Sequence, residues 1–479
     1  MHSYSSLIRH EGNRELFTFV ELAAIGIIAD IPIHLHVEGL RGTGKTTILR
    51  AARHILPKIS RIKDCLFNCN PQFPHCPRHK VLTKDELGTV VVEQIPVPFL
   101  EISHSAKIGT IAGSLDLARL TDTEQPEAAM LPGTLPRSHR GIVLVDEVNR
   151  LADTAPELTD ILLDAMGTKP GRVQMEEAGL PTVALPLSIS VWATSNPDED
   201  PGSLMDIRKQ LSDRFDFMVQ MERSVEAEAL VSILNLDHKP EHLRGKIPAA
   251  DLELGKYLVQ KASRVGAVKI PTTIVRSLAQ IYIKHHLESL RSLEAIKTGA
   301  ILNAARWNRP EVGWNDVLTV TPAALRHRLS PEQLVAVLQD LKQERDLVNS
   351  RAVVACADCD QNEPGSADRH RQQKQSGGIW SRIVAWCQRV LGRRRDRYPA
   401  AAKRKEASAG GNKLAGIGRR PQLKPENPLE MPLVAPPEVA RPLLSLAREG
   451  AITEGELIDD PTRAGKAIRT TVGNEADEG

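Results

Sequence analysis

The 479-residue chain contains a nine-residue stretch that can hold phosphate, Gly39-Leu-Arg41-Gly42-Thr43-Gly44-Lys45-Thr46-Thr47. Its spacing is G-x-x-x-x-G-K-[ST], the pattern of a phosphate-binding loop. Glycines let backbone N–H groups close around phosphate oxygens, and a helix N-terminus adds a favourable dipole. Lys45 is placed to reach the outer phosphates and the Thr46 hydroxyl to ligate Mg²⁺. Gly141-Ile-Val-Leu-Val-Asp146-Glu147 ends an apolar run in two adjacent carboxylates. Asp146 is expected to hold Mg²⁺ through water and Glu147 to orient and polarise an attacking water. Leu187 to Pro197 is a second apolar run, and its Asn196 is placed to touch a γ-phosphate or the lytic water. The expected ligands are thus ATP and Mg²⁺.

Cys65, Cys69, Cys76 and His79 follow a C-x₃-C-x₆-C-x₂-H spacing. Three thiols and an imidazole this close could close a tetrahedral Zn²⁺ site. The alternative is a loop with free thiols. His285 and His286 read as an exposed helix end rather than a metal pair.

The elements needed to position these groups are legible around them. Ile33 to Glu38 alternates as a strand does, and Ile48 to Leu56 has helical spacing that stops before Pro57. A helix is expected over 14–31, a strand over 89–93, a flexible polar loop over 121–139, a helix over 155–166 and a hairpin over 172–186. From 224 the pattern is helical: 224–235, 251–265, 272–287, 288–306 and 321–328, then 331–349. The expected fold is α/β, a parallel P-loop sheet flanked by helices, followed by an all-helical lid and a largely disordered tail. The domain bounds are 1–223 for the nucleotide-binding part with its Cys-rich loop 65–79, 224–350 for the lid and 351–479 for the tail. Arg214 follows a helix and could reach a neighbour's nucleotide in a ring. Arg291, in the lid, could fold back onto the phosphates.

A hydrophobic content of 41% supports a sizeable core, although aromatics are only 3%, so aliphatic side chains must fill it. The net charge of +2 hides a basic tail, because residues 369–420 carry fifteen Lys/Arg against Asp396 and Glu406. No apolar run reaches the ~18 residues of a membrane span, and the N-terminus lacks the pattern of a secretory signal. A nucleotide-dependent chain without either is expected in the cytoplasm. Residues 378–395 combine an apolar face with arginines and read as a membrane-surface helix, a partner-docking helix or a solvated basic tail. Seven prolines in 421–442 predict an extended spacer.

These motifs together resemble the I subunit of magnesium chelatase and its AAA+ relatives, including the MoxR group. The resemblance covers about residues 14–330. It is carried by 39–46, Gly109-Thr-Ile-Ala-Gly-Ser-Leu-Asp116, His139 to Asn149, Ser195-Asn-Pro and Leu211-Ser-Asp-Arg-Phe215. Cys65-Leu-Phe-Asn-Cys69-Asn-Pro is similar to a cysteine-containing stretch of non-photosynthetic members, whose later pair is usually C-x₂-C where this chain has Cys76 and His79. The resemblance implies an insert around 103–120 and a hairpin before the strand of Asn196. It implies that Asn196 is sensor 1, Arg214 a trans-acting finger and Arg291 sensor 2. It further implies a homo-oligomeric ring, a hexamer, working with a chelatase-like partner that carries a von Willebrand A-type domain. The expected activity is ATP hydrolysis that remodels this partner, with metal insertion as one use. The alternatives are a nucleotide-gated scaffold acting through its tail, or a nucleic-acid motor. The last is disfavoured because the 172–186 hairpin has Arg172 as its one positive charge beside Glu176 and Glu177. No nucleic-acid partner is expected.

Overall fold

A computed structural model describes residues 3–103, 106–115, 130–167, 169–175, 183–235 and 247–359. The expected amphipathic helix 378–395 and the Pro-rich stretch lie outside the described residues. Eleven strands are described: β1 (Leu35–Gly39), β2 (Lys58–Ile62), β3 (Val92–Pro96), β4 (Phe99–Ile102), β5 (Gly113–Leu115), β6 (Met130–Pro132), β7 (Gly141–Val145), β8 (Gly171–Met175), β9 (Val183–Leu187), β10 (Ile189–Ser195) and β11 (Phe217–Met221). Five of them form the central sheet in the order β11-β1-β10-β7-β4. All its pairings are parallel.

Such a sheet needs both faces covered. Successive side chains on a strand point to opposite faces, and the two apolar clusters follow that alternation. Ile142, Leu144 and Trp192 join one cluster, whereas Val143, Val145, Val191 and Ala193 join the other. Burying each large aliphatic side chain stabilises by roughly 1.5–3 kcal/mol. That fixes β7 and β10, whose C-terminal ends carry the polar residues of interest. The first cluster does not stop at residue 223. It runs from Phe19, Leu35 and Phe217 through Ala300 and Val317 to Leu338. Gly299 permits this close approach, because a Cβ there would lie 2.6 Å from Phe217 Cζ.

The helices over 14–28, 156–165, 227–234, 249–262, 272–284 and 290–306 match the sequence pattern. Other expectations are corrected. The strand expected at 89–93 begins at Val92, and Lys84–Thr89 is helical under a Thr83–Glu86 capping box. Residues 130–132 and 134–137 are a strand and a short helix rather than open loop. The unit expected at 321–328 is a helix from Trp314 to Leu325, with Pro322 inside it. The final described helix runs from Pro331 to Cys359, so the boundary drawn at 350 falls within it. No helix among the described residues is long and apolar enough to cross a membrane.

Two histidines are buried here, His34 just before β1 and His36 within it. Burial holds His34 and His36 down to about 3. His34 Nδ1 accepts from the Val191 N–H at 3.1 Å, and His36 Nε2 lies 2.8 Å from Ser195 Oγ. In the unfolded chain each returns to about 6.5, so between about pH 6.5 and 3 the unfolded state binds more protons. Their contribution is complete above the unfolded value and is lost as pH falls towards the folded one. Between about pH 7.5 and 5, wild type is expected to lose on the order of 2 kcal/mol more stability than a His36→Gln variant. Urea unfolding at the two pH values checks this; equal losses would mean that His36 is charged in the fold.

Candidate active site

Three neighbouring strands end side by side. The register pairs Val37 of β1 with Thr194 of β10, and Ala193 of β10 with Val145 of β7. The loop after β1, residue Asn196 after β10 and the acids after β7 therefore share one edge of the sheet. This is the carboxyl edge at which open α/β sheets bind ligands.

The loop 39–47 is shaped by its glycines. A Cβ on Gly39 would meet Met221 O at 2.3 Å. Gly42 and Gly44 take φ of 73° and 91°, a region open to glycine at little cost. A Cβ on Gly42 would meet nothing within 4 Å, so the loop is an open cradle on that side. The helix Lys45–Ala51 starts at once behind it. Lys45 Nζ donates to Gly39 O, Leu40 O and Asn196 Oδ1, each at 2.7 Å. Burial lowers the Lys45 pKa from its ordinary value, opposed by Asp146, Glu199, Glu147 and Glu38. Thr43 Oγ1 donates to Leu40 O, and Arg41 pairs with Glu199 at 3.8 Å. Thr47 lies on the first turn of the helix.

Thr46 Oγ1 donates to Asp146 Oδ1 at 2.9 Å. A hydroxyl and a carboxylate oxygen at this spacing beside a glycine cradle are the hard oxygen donors that Mg²⁺ takes together with phosphate. Thr194 Oγ1 also donates to Asp146, and Arg50 lies 3.6 Å from its other oxygen. Glu147 begins the helix Val148–Thr154 with a left-handed φ of 51°. This conformation is strained for a non-glycine residue. It is held by the Glu147 N–H bond to Thr194 Oγ1 at 3.1 Å and turns the side chain towards Arg150 at 3.0 Å. Asn149 Nδ2 donates to Asn196 O and Gly202 O and so fixes the turn behind Asn196.

Arg214 and Arg291 stand elsewhere. Arg214 ends the helix Lys209–Arg214 and precedes β11, whose first residue pairs with Leu35 at the start of β1. It therefore lies at the opposite edge, roughly 15 Å away along a five-residue strand. Burial and the nearby Arg291 guanidinium lower the Arg214 pKa, opposed by Asp213 and Asp164. Arg291 also acts on His34 and Arg328. Asp213 ties this edge together, accepting from Ser289 Oγ at 3.2 Å and from Arg328 Nε at 2.9 Å. Arg328 Nη2 donates further to Asp213 O and Phe215 O.

Several site residues escaped the motif reading. Thr194 bridges Asp146 and the Glu147 backbone, and its signal was its place two residues before Asn196 in a strand beside β7. Glu38, at the end of β1, is buried next to the loop, and burial pushes its carboxyl up to about 7, with Arg326 opposing. Arg50, beside Asp146, and Arg150, beside Glu147, belong to no motif in the sequence.

The profile of the AAA lid domain matches residues 275–349. The 38 kDa subunit of magnesium chelatase from Acidiphilium rubrum is 28% identical over 326 residues, covering 66% of this chain and 90% of that one. The chloroplastic magnesium-chelatase subunit ChlI-2 of Arabidopsis thaliana is 29% identical over 307 residues, covering 62% and 69%. A structure of the complex between subunits BchI and BchD of magnesium chelatase, based on cryo-EM, is 25% identical and covers 69% of this chain and 96% of that chain, at a TM-score of 0.37. A P-loop on the second strand of a five-stranded parallel sheet, paired acids two strands away and a helical lid define an AAA+ protein. Along about two thirds of its length the chain is similar to the I subunits of magnesium chelatase.

Proposed function

We propose that this chain is an ATP hydrolase that works in a homo-oligomeric ring, most simply a hexamer. The observation that carries the reading is the division of the site between two edges of one sheet. Lys45, Thr46, Asp146, Glu147 and Asn196 stand at the carboxyl edge, and Arg214 and Arg291 stand a strand length away. In a head-to-tail ring one subunit's amino edge faces the next subunit's carboxyl edge, so both arginines serve the neighbour's nucleotide.

The loop 39–47 binds the phosphates through its N–H groups, and Lys45 exchanges a loop carbonyl for phosphate oxygen. Mg²⁺ held by Thr46 and Asp146 would neutralise β- and γ-phosphate charge when bound. Glu147 orients the attacking water and accepts its proton. Asn196 keeps the γ-phosphate and the water in line. Arg214 and Arg291 stabilise the charge that develops on the transferred phosphoryl group.

The matched relatives are named as subunits of magnesium chelatase, which supports work on a chelatase-like partner; that this partner carries a von Willebrand A-type domain is part of the proposal. Remodelling of that partner during metal insertion is the output this reading assigns. The β8–β9 hairpin carries Arg172 as its one positive charge among the described residues, which favours a protein client over a nucleic-acid backbone. The test is phosphate release by the full chain at saturating MgATP. Lys45→Ala is expected to lower ATP affinity and turnover by at least about 10²-fold, since it removes a charge-assisted phosphate contact. A wild-type chain that neither binds nor hydrolyses ATP, alone or with its partner subunit, overturns the reading.

A further inference from the structure

The residues between β2 and β3 form a long excursion with little core of its own. Its helix Lys84–Thr89 buries no residue, and Leu66, Phe73 and Val81 are exposed. Its buried cluster consists of Ile62, Cys65, Cys69 and Cys76, with Phe67, Leu87 and Val90 against it. A segment with so few apolar contacts needs a staple to stay folded.

The groups that could provide one are together. The Sγ atoms of Cys65, Cys69 and Cys76 and a ring nitrogen of His79 all lie within 4.8 Å of one another. Cys76 Sγ and His79 Nδ1 are 3.2 Å apart. Tetrahedral Zn²⁺, about 2.3 Å from sulfur and about 2.0 Å from nitrogen, needs ligand atoms roughly 3.5–3.8 Å apart, so the cluster closes with shifts of about 1 Å or less. Backbone N–H groups of His75 and Cys76 point at Cys69 Sγ from 3.4 and 3.3 Å, donors that steady a metal-bound thiolate.

We propose that Cys65, Cys69, Cys76 and His79 bind one structural Zn²⁺ that fastens this excursion to the start of β7. Three thiols release three protons on binding, and His79 supplies a neutral nitrogen. The resulting charge of −1 lies near Arg140, close enough to Cys69 for their charges to interact. Four protein ligands leave no open position, so the ion is structural rather than catalytic. The fastening runs through named contacts. Asn68 Nδ2 donates to Arg137 O at 2.6 Å, and Arg61 Nη1 donates to Asn68 Oδ1 at 2.8 Å. The His75 and His139 rings stack at 3.7 Å, and Arg140 Nη1 donates to Ser60 O at 2.7 Å. Residues 137–140 lead directly into the strand that ends at Asp146.

The experiment is metal analysis of the full chain purified without added metal, with zinc release followed on thiol modification. About one Zn²⁺ per chain is expected, with at least ~10-fold weaker binding in His79→Ala and Cys76→Ser. The chain's other close cysteine pair, the C-x₂-C of Cys356 and Cys359, is the control: Cys356→Ser/Cys359→Ser is expected to keep its zinc. Co²⁺ replacing Zn²⁺ in the wild-type chain should give thiolate-to-metal charge-transfer absorption, a readout that does not depend on a cysteine variant folding. A zinc-free chain whose three thiols alkylate freely in the native state, and which gives no such absorption with Co²⁺, overturns the proposal. So does loss of the zinc in the Cys356→Ser/Cys359→Ser chain.

Discussion

Glu147→Gln is expected to lower ATP turnover by roughly 10²–10⁴-fold while ATP still binds, the usual cost of losing a general base. The substitution keeps the shape of the side chain and removes its ability to take a proton. The backbone device that presents it is untouched, since the Glu147 N–H bonds to Thr194 Oγ1 and the left-handed turn belongs to the main chain. Asp146 keeps Thr46 and Thr194 as partners. The variant should therefore fold, bind MgATP with near wild-type affinity and accumulate in the ATP-bound form. Nucleotide-binding titration beside a turnover assay separates the two effects. Turnover at the wild-type rate would remove Glu147 from the mechanism. Loss of binding and turnover together would mean that Glu147 supports the cradle instead.

Arg214→Ala is expected to lower turnover by roughly 10³-fold or more, the scale of an arginine finger. Its geometry makes a sharper forecast than loss of activity. An Arg214→Ala chain keeps its own P-loop, and a Lys45→Ala chain keeps its own Arg214. Each is inactive alone. In an equimolar mixture an interface is competent when the first chain supplies the loop and the second the arginine. With random assembly that is half times half, so about a quarter of wild-type activity should return in a heterologous ring. A mixture as inactive as its parts would place Arg214 on its own subunit's nucleotide, or off the reaction altogether. Arg291→Ala tested in the same way should give the same partial recovery, because Asp213 holds the start of its helix beside Arg214.

The carboxyl edge was legible because each of its residues sits at the end of an apolar run. The loop after β1, the acids after β7 and Asn196 after β10 are punctuated by glycine, charge and proline. β4 and β11 were not. β4 follows Pro96 and Pro98 and carries Glu101, so its pattern is broken. β11 is five residues long and starts two residues after a helix, and so short an apolar run is ambiguous in period. Pro322 hid the helix from Trp314 to Leu325, because proline inside a helical pattern usually ends it. The position of Arg291 was beyond any local signal. It depends on Asp213 meeting Ser289 and Arg328, residues 76 and 115 positions away.

The core that crosses residue 223 has a mechanical consequence. Phe217 touches the space over Gly299, and Leu35 and Leu338 belong to one cluster. A hinge between the sheet and its helical lid would have to open this cluster and expose apolar side chains at roughly 1.5–3 kcal/mol each. The cheaper degree of freedom is rotation of the whole subunit against its neighbour. In the ring proposed above, motion would then be geared at the joints between subunits, and each subunit would serve as a stiff lever rather than a jaw that closes.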